Sequence, residues 1–158
     1  MVPADRLTHV DESGAARMVD VSGKDVTARE AVAAGRVLVS PEVVALLRGA
    51  GVPKGDTLAV ARLAGIMGAK QTSSLIPLCH PLALSSVTVD LEVADDAVEV
   101  SATVRTTDRT GVEMEALTAV AVAGLTVIDM VKAVDKRAVI TDVRVLRKSG
   151  GASGDFVR

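Results

Sequence analysis

Residues 85–107 read SSVTVDLEVADDAVEVSATVRTT. Val87, Val89, Leu91 and Val93 alternate with polar residues, and Val98, Val100, Ala102 and Val104 do the same beyond Asp95-Asp96. A period of two puts the apolar side chains of a strand on one face. Two such runs around a short acidic break predict a β-hairpin. Its one apolar face calls for an antiparallel sheet covered on one side by helices.

Outward from the hairpin the sequence supplies that cover. Ser40-Pro41 offers an N-cap and a proline at the first helical position, and VVALLRGAG ends on a glycine stop at Gly51. After the turn VPKGD, Asp56 or Thr57 can cap a second helix, TLAVARLAGIMGAKQT. The two prolines of SSLIPLCHPLAL, residues 73–84, predict an irregular connector. Beyond the hairpin, residues 115–134 predict the longest helix, and RAVITDVRVLRKSGG a last strand running into a glycine-rich tail. Residues 27–39 are ambiguous. Thr27 with Glu30 resembles a capping box, whereas GRVLV favours a strand, so a strand is expected over the second half. The ARMVDVS segment before it is expected to be extended. The reading is one domain over residues 1–158, α+β and ferredoxin-like. Residues 1–13 are expected to be a mobile tail and residues 149–158 a glycine-rich C-terminal one.

Composition narrows the function. Apolar residues make up 49% of the chain, yet there is one Phe and no Tyr or Trp. A core of small side chains buries little area per residue, so further burial against sister subunits is expected. A net charge of −2 lacks the basic excess of a nucleic-acid-coating protein, and the missing aromatics remove the platforms on which single strands stack. One cysteine, Cys79, fits a reducing compartment. The longest uncharged run, residues 116–128, is too short to span a bilayer. No apolar signal segment opens the chain. A cytoplasmic protein that engages neither nucleic acid nor membrane is expected.

No GxGxxG, P-loop, CxxC or HExxH motif is present. Cys79-His80 lies between two prolines, where a rigid loop could present the imidazole to a substrate; a buried thiol beside a hydrogen-bonded ring is the plainer account. Glu113 and Glu115 stand at the entrance to the long helix. One carboxylate there suits the helix dipole, but both would share a side only on an extended segment, where they could grip the donor edge of a guanine-like ring or carry protons. Asp129, Lys132 and Lys136 share a helical face. They make either a solvated ion-pair face or an acid/base pair whose lysine is tuned by burial. The KSGGASGD run resembles a phosphate loop only superficially, since its lysine precedes the glycines and no helix follows; a generic glycine-rich tail is the plainer account and an anion nest the functional one. Lysines at turns, Lys54 and Lys148 among them, could converge on an anion, and the chemistry of the residues alone leads no further.

LTHVDESGAARMVDVSGK (7–24), KGDTLAVARLAGIMGAK (54–70), LIPLCHPLALSSV (75–87), TGVEMEALTA (110–119), DMVKAVDK (129–136) and KSGGASGDF (148–156) occur in this order. Together they resemble the cyclic pyranopterin monophosphate synthase family, the molybdenum cofactor biosynthesis protein C family. The resemblance covers nearly the whole chain. It implies a ferredoxin-like subunit in a hexamer built as a trimer of dimers, with its site between subunits. It also implies a lyase that turns 3′,8-cyclo-7,8-dihydroguanosine 5′-triphosphate into cyclic pyranopterin monophosphate and diphosphate. No metal or organic cofactor is implied, and transient contact with the upstream radical enzyme is. By matching position, Asp129 and Lys132 are the central catalytic pair and Lys54 a further catalytic or phosphate-holding residue. Leu78, Cys79, His80, Glu113, Met114 and Glu115 line the substrate site, and Arg29 and Lys148 complete an anion pocket. With a site shared between chains, Lys54 and Asp129 could come from different subunits. Gln71-Thr72 stands where relatives often carry a basic residue.

Two other classes compete with this reading. A metal-dependent phosphate-ester hydrolase would use His80, Glu113 and Glu115 and lose activity to chelators. An accessory pterin- or nucleotide-binding subunit would bind without turnover and survive Lys132→Ala.

Overall fold

The computed structural model describes residues 7–49 and 54–158. The expected tail over residues 1–13 therefore lies outside the described residues in its first six positions, as does the glycine stop at Gly51 and part of the VPKGD turn. From Leu7 to Arg17 the chain makes a small turn, with Val10 bridged antiparallel to Ala16.

Five antiparallel strands form one sheet in the order β2-β3-β1-β4-β5. The expected hairpin is β2 (Leu84–Val93) and β3 (Ala97–Asp108), paired with Val89 opposite Ala102 and Val93 opposite Val98. The central strand, β1 (Thr27–Leu38), runs the full length of the ambiguous segment. Glu30 caps no helix. Its carboxylate receives Arg105 of β3 at 2.5 Å and Arg147 of β4 at 2.9 Å, so the capping-box spelling is a cross-strand ion pair. The last strand proper, β4 (Val139–Ser149), lies on the other side of β1. The glycine-rich tail then turns back, and β5 (Phe156–Val157) pairs with Arg147 and Lys148.

Helices cover one face. α1 (Pro41–Arg48) begins where Ser40 accepts from the Val43 amide at 3.4 Å. α2 (Thr57–Lys70) is capped by Asp56, which accepts from Ala59 at 3.0 Å. One further turn, α3 (Thr72–Leu75), opens the connector. α4 (Glu113–Val131) packs on β1, β3, β4 and α2. It starts two residues before the expected boundary and ends three before it, so Lys136 lies beyond the helix and shares no face with Asp129. By length and composition α4 could cross a membrane, but 56% of its most apolar window is buried inside the fold, as a core helix would be.

The core is built from Ala31, Ala33 and Val37 of β1, Val98, Val100 and Val104 of β3, and Ala116, Ala119, Val120, Ala123 and Val127 of α4. Small residues allow close approach. A Cβ on Gly65 of α2 would come within 2.9 Å of the Ala119 carbonyl oxygen, and one on Gly68 within 2.8 Å of Val122. Asp135 ties the end of α4 to the rest. It is 8% exposed and accepts from the Ser40 and Arg137 amides, each at 2.8 Å. Such charge-assisted bonds satisfy a buried carboxylate.

Candidate functional site

A cleft of about 710 Å³ opens where the start of α4, the connector after α3, β1 and the end of β4 meet. Arg29, Leu78, Cys79, His80, Glu113, Met114, Glu115 and Lys148 all line it. These eight, read from four separate stretches of sequence, are brought together. Asp129, Lys132 and Lys54 are not among them.

α4 builds the floor. Its first turn holds both glutamates on a helix rather than on the extended segment that would have aligned them. Glu115 is 4% exposed and Glu113 only half-buried. Burial pushes the Glu115 carboxyl up to about 7; a backbone amide partly offsets this, and the charge of Glu113 adds to it. The carboxylate of Glu113 folds over Gly111, taking space that a Cβ there would fill. Cys79 sits on the turn closed by its amide and the Ile76 carbonyl at 3.1 Å. Burial raises its thiol, with the negative charge of Glu115 adding to the effect, so the sulfur is held as a thiol, a poor nucleophile.

The cleft also carries cations, Arg29 and Lys148. Arg29 of β1 donates Nε to the Asp108 carbonyl at 2.9 Å, which fixes its guanidinium at the rim. Lys148, at the end of β4, donates to Ser153 Oγ. The loop between them depends on glycine. Gly150 has φ 85°, and a Cβ there would collide with the Ala28 carbonyl oxygen. Its amide donates to Asp155 at 3.1 Å. Thr8, His9, Lys24, Thr110, Ser149 and Ser153 also line the cleft. Of these, Ser149 and Ser153 belong to the KSGGASGD run and His9 and Lys24 to the LTHVDESGAARMVDVSGK segment, though the sequence alone marks neither His9 nor Lys24 as a site residue.

The remaining three residues form a second cluster at the far end of α4. Lys132 Nζ lies 2.6 Å from Asp129 Oδ1, and Lys54 Nζ lies 2.7 Å from the Asp129 carbonyl and 3.4 Å from Oδ2. Lys54 and Asp129 thus meet within one chain, against the expectation that different subunits supply them. The hydrogen bond and charge of Lys132, then those of Lys54, hold the Asp129 carboxyl below the usual range. In this chain the three side chains are 43–59% exposed, so the burial expected to tune Lys132 is not supplied within it. At 1.5 Å per residue, the fourteen positions from Glu115 to Asp129 separate the cluster from the cleft floor by about 21 Å. At the position where relatives often carry a basic residue, Gln71 closes α2 and Thr72 is buried, its hydroxyl on the Ala69 carbonyl at 2.9 Å.

Among the described residues, no three His, Cys, Asp or Glu side chains are grouped to hold a metal ion. Against known proteins, the model of the MoaC family matches residues 18–151.

The chain belongs to the MoaC family.

MoaC-family relatives resemble it along nearly its whole length. A Streptomyces coelicolor protein is 78% identical over 99% of this chain and 92% of its own. A Nocardioides protein is 76% identical over 97% of this chain and 96% of its own, and a Roseiflexus protein 61% identical over 96% and 97%. Each is named cyclic pyranopterin monophosphate synthase. The MoaC-family match takes in both the cleft residues from Arg29 onward and the Asp129 cluster, and stops at Gly151, inside the loop that follows Lys148.

Proposed function

We propose that this chain is a cyclic pyranopterin monophosphate synthase of molybdenum cofactor biosynthesis, a lyase converting 3′,8-cyclo-7,8-dihydroguanosine 5′-triphosphate to cyclic pyranopterin monophosphate and diphosphate. The observation that carries this reading is the convergence of eight residues from four stretches of sequence on one cleft, in a chain 78% identical to a protein of that name.

The cleft's chemistry suits the reaction. Opening and rebuilding the ring system requires proton transfers. A carboxyl near neutrality, Glu115, can release and take up a proton at working pH. Glu113 and Glu115 suit the donor edge of a guanine-derived ring. Arg29 and Lys148 suit the triphosphate and the departing diphosphate. Asp129, Lys132 and Lys54 form the catalytic group, an ionised carboxylate between two ammonium groups. Because that group lies about 21 Å from the cleft floor along α4, the working site joins the cleft of one copy to the cluster of another, in a hexamer made of three dimers. Exposed Val60, Leu63 and Met67 on α2 and Leu125 on α4 offer the apolar area such contacts need. The whole chain acts as one domain, in the cytoplasm, where its one cysteine stays reduced, and it meets its upstream radical enzyme only transiently.

The deciding assay incubates purified protein with enzymatically prepared cyclic dihydro-GTP in EDTA, following diphosphate and the pterin product by mass spectrometry. Both products are expected. No turnover from a correctly assembled oligomer would overturn the reading in favour of an accessory binding subunit.

A further inference from the structure

The chain contains two histidines, and both line the same cleft. His80 reaches it from the connector after α3. His9 reaches it from the N-terminal turn bridged by Val10 and Ala16. That turn contributes almost nothing to the core: no residue from Leu7 to Met18 is buried, and Leu7 is 80% exposed. Its backbone is nonetheless closely tied. The Asp11 carboxylate accepts from the Ser13 amide at 2.8 Å, the Ser13 hydroxyl at 2.6 Å and the Ala15 amide at 2.9 Å. The Asp11 amide donates to Ala15 and the Arg17 amide to His9, each at 2.9 Å. Ordering a backbone costs entropy, and here almost no apolar burial offsets it. What the turn delivers is a ring in the cleft. His9 Nδ1 lies 3.3 Å from the Arg17 carbonyl oxygen, which places a proton on Nδ1 and leaves Nε2 as the uncommitted nitrogen.

The cleft divides by chemistry into acidic groups on α4 and a cationic set of Arg29, Lys148 and Lys24. We propose that His9 is a substrate-binding residue that joins this cationic set and holds the phosphate chain through Nε2. With a phosphate oxygen against Nε2, both nitrogens donate, Nδ1 to the Arg17 carbonyl and Nε2 to the phosphate. This rests on the synthase reading, which supplies a triphosphate as ligand.

The test uses the full-length, assembled protein and the variants His9→Ala and His9→Lys. Turnover of cyclic dihydro-GTP is measured with inorganic tripolyphosphate as competitor. His9→Ala should raise both KM and the tripolyphosphate inhibition constant about tenfold, with kcat within about threefold. His9→Lys should restore most of the binding. Unchanged KM and inhibition constant would overturn the assignment, and so would a loss confined to kcat or a KM rise without weaker inhibition. The exposed turn leaves the fold independent of His9, which circular dichroism of the variants checks. If the wild type shows no turnover, the synthase reading fails by itself. Calorimetric titration of tripolyphosphate into wild type and His9→Ala then still decides whether His9 binds the anion, equal affinities overturning it.

Discussion

Glu115 and Asp129 are carried by one helix, one at its buried start in the cleft and the other at its exposed end between two lysines. If the working site needs both, two chains must supply it, and defects at the two ends should complement each other. Mixing His80→Ala with Lys132→Ala chains should restore about a quarter of wild-type activity, from random pairing in a two-fold dimer. Mixing Lys54→Ala with Asp129→Ala should restore none, because both damage the same cluster. Turnover after verified subunit exchange is the measurement, and failure of the first mixture would count against a shared site.

Lys132→Ala should abolish turnover while the oligomer stays folded. Its partner is an exposed carboxylate, and exposed ion pairs add little to stability, so Tm should stay within about 2 °C of wild type. A loss of less than about tenfold in kcat would remove Lys132 from the central chemistry.

Stability should carry the signature of Glu115. Its carboxyl is raised from 4.5 to about 7 by burial, so between these values the folded chain holds a proton that the unfolded chain has lost. The contribution is fully present below pH 4.5 and is lost as pH rises towards 7. The Tm of Glu115→Gln should therefore gain on wild type between about pH 5 and about pH 8. A constant difference across that range would show that Glu115 titrates normally.

Gly150→Ala should cost about 1 kcal/mol or more, since both its φ of 85° and the Ala28 carbonyl stand against a side chain. KM should rise with it, because the displaced loop follows directly on Lys148 and carries its partner Ser153. Gly23→Ala, where a Cβ meets nothing within 4 Å, is the control and should be neutral in both denaturant titration and KM.

Much of this architecture was legible because it is written locally. The hairpin is spelled by alternation, and Ser40-Pro41 and Asp56 mark helix starts that the backbone uses. What was misread depends on residues far apart in sequence. Thr27 and Glu30 spell a cap, yet Glu30 answers Arg105 and Arg147 on neighbouring strands. The return strand Phe156–Val157 is too short for any period to show. Among the cleft residues, His80 and the glutamates were found through their motifs. His9 lies within the LTHVDESGAARMVDVSGK segment, but nothing in that spelling points to the cleft until the folded turn brings it there.

The absence of side chains at Gly65 and Gly68 also has a mechanical consequence. With Ala119 and Val122 already at the limit of approach, α2 and α4 have no slack along which to slide. They behave as a single plank, with Lys54 attached just before one helix and Asp129 near the end of the other. The contact of Lys54 Nζ with the Asp129 carbonyl at 2.7 Å is thus made on one close-packed helix pair, where a larger residue at Gly65 or Gly68 would push the two ends of the contact apart.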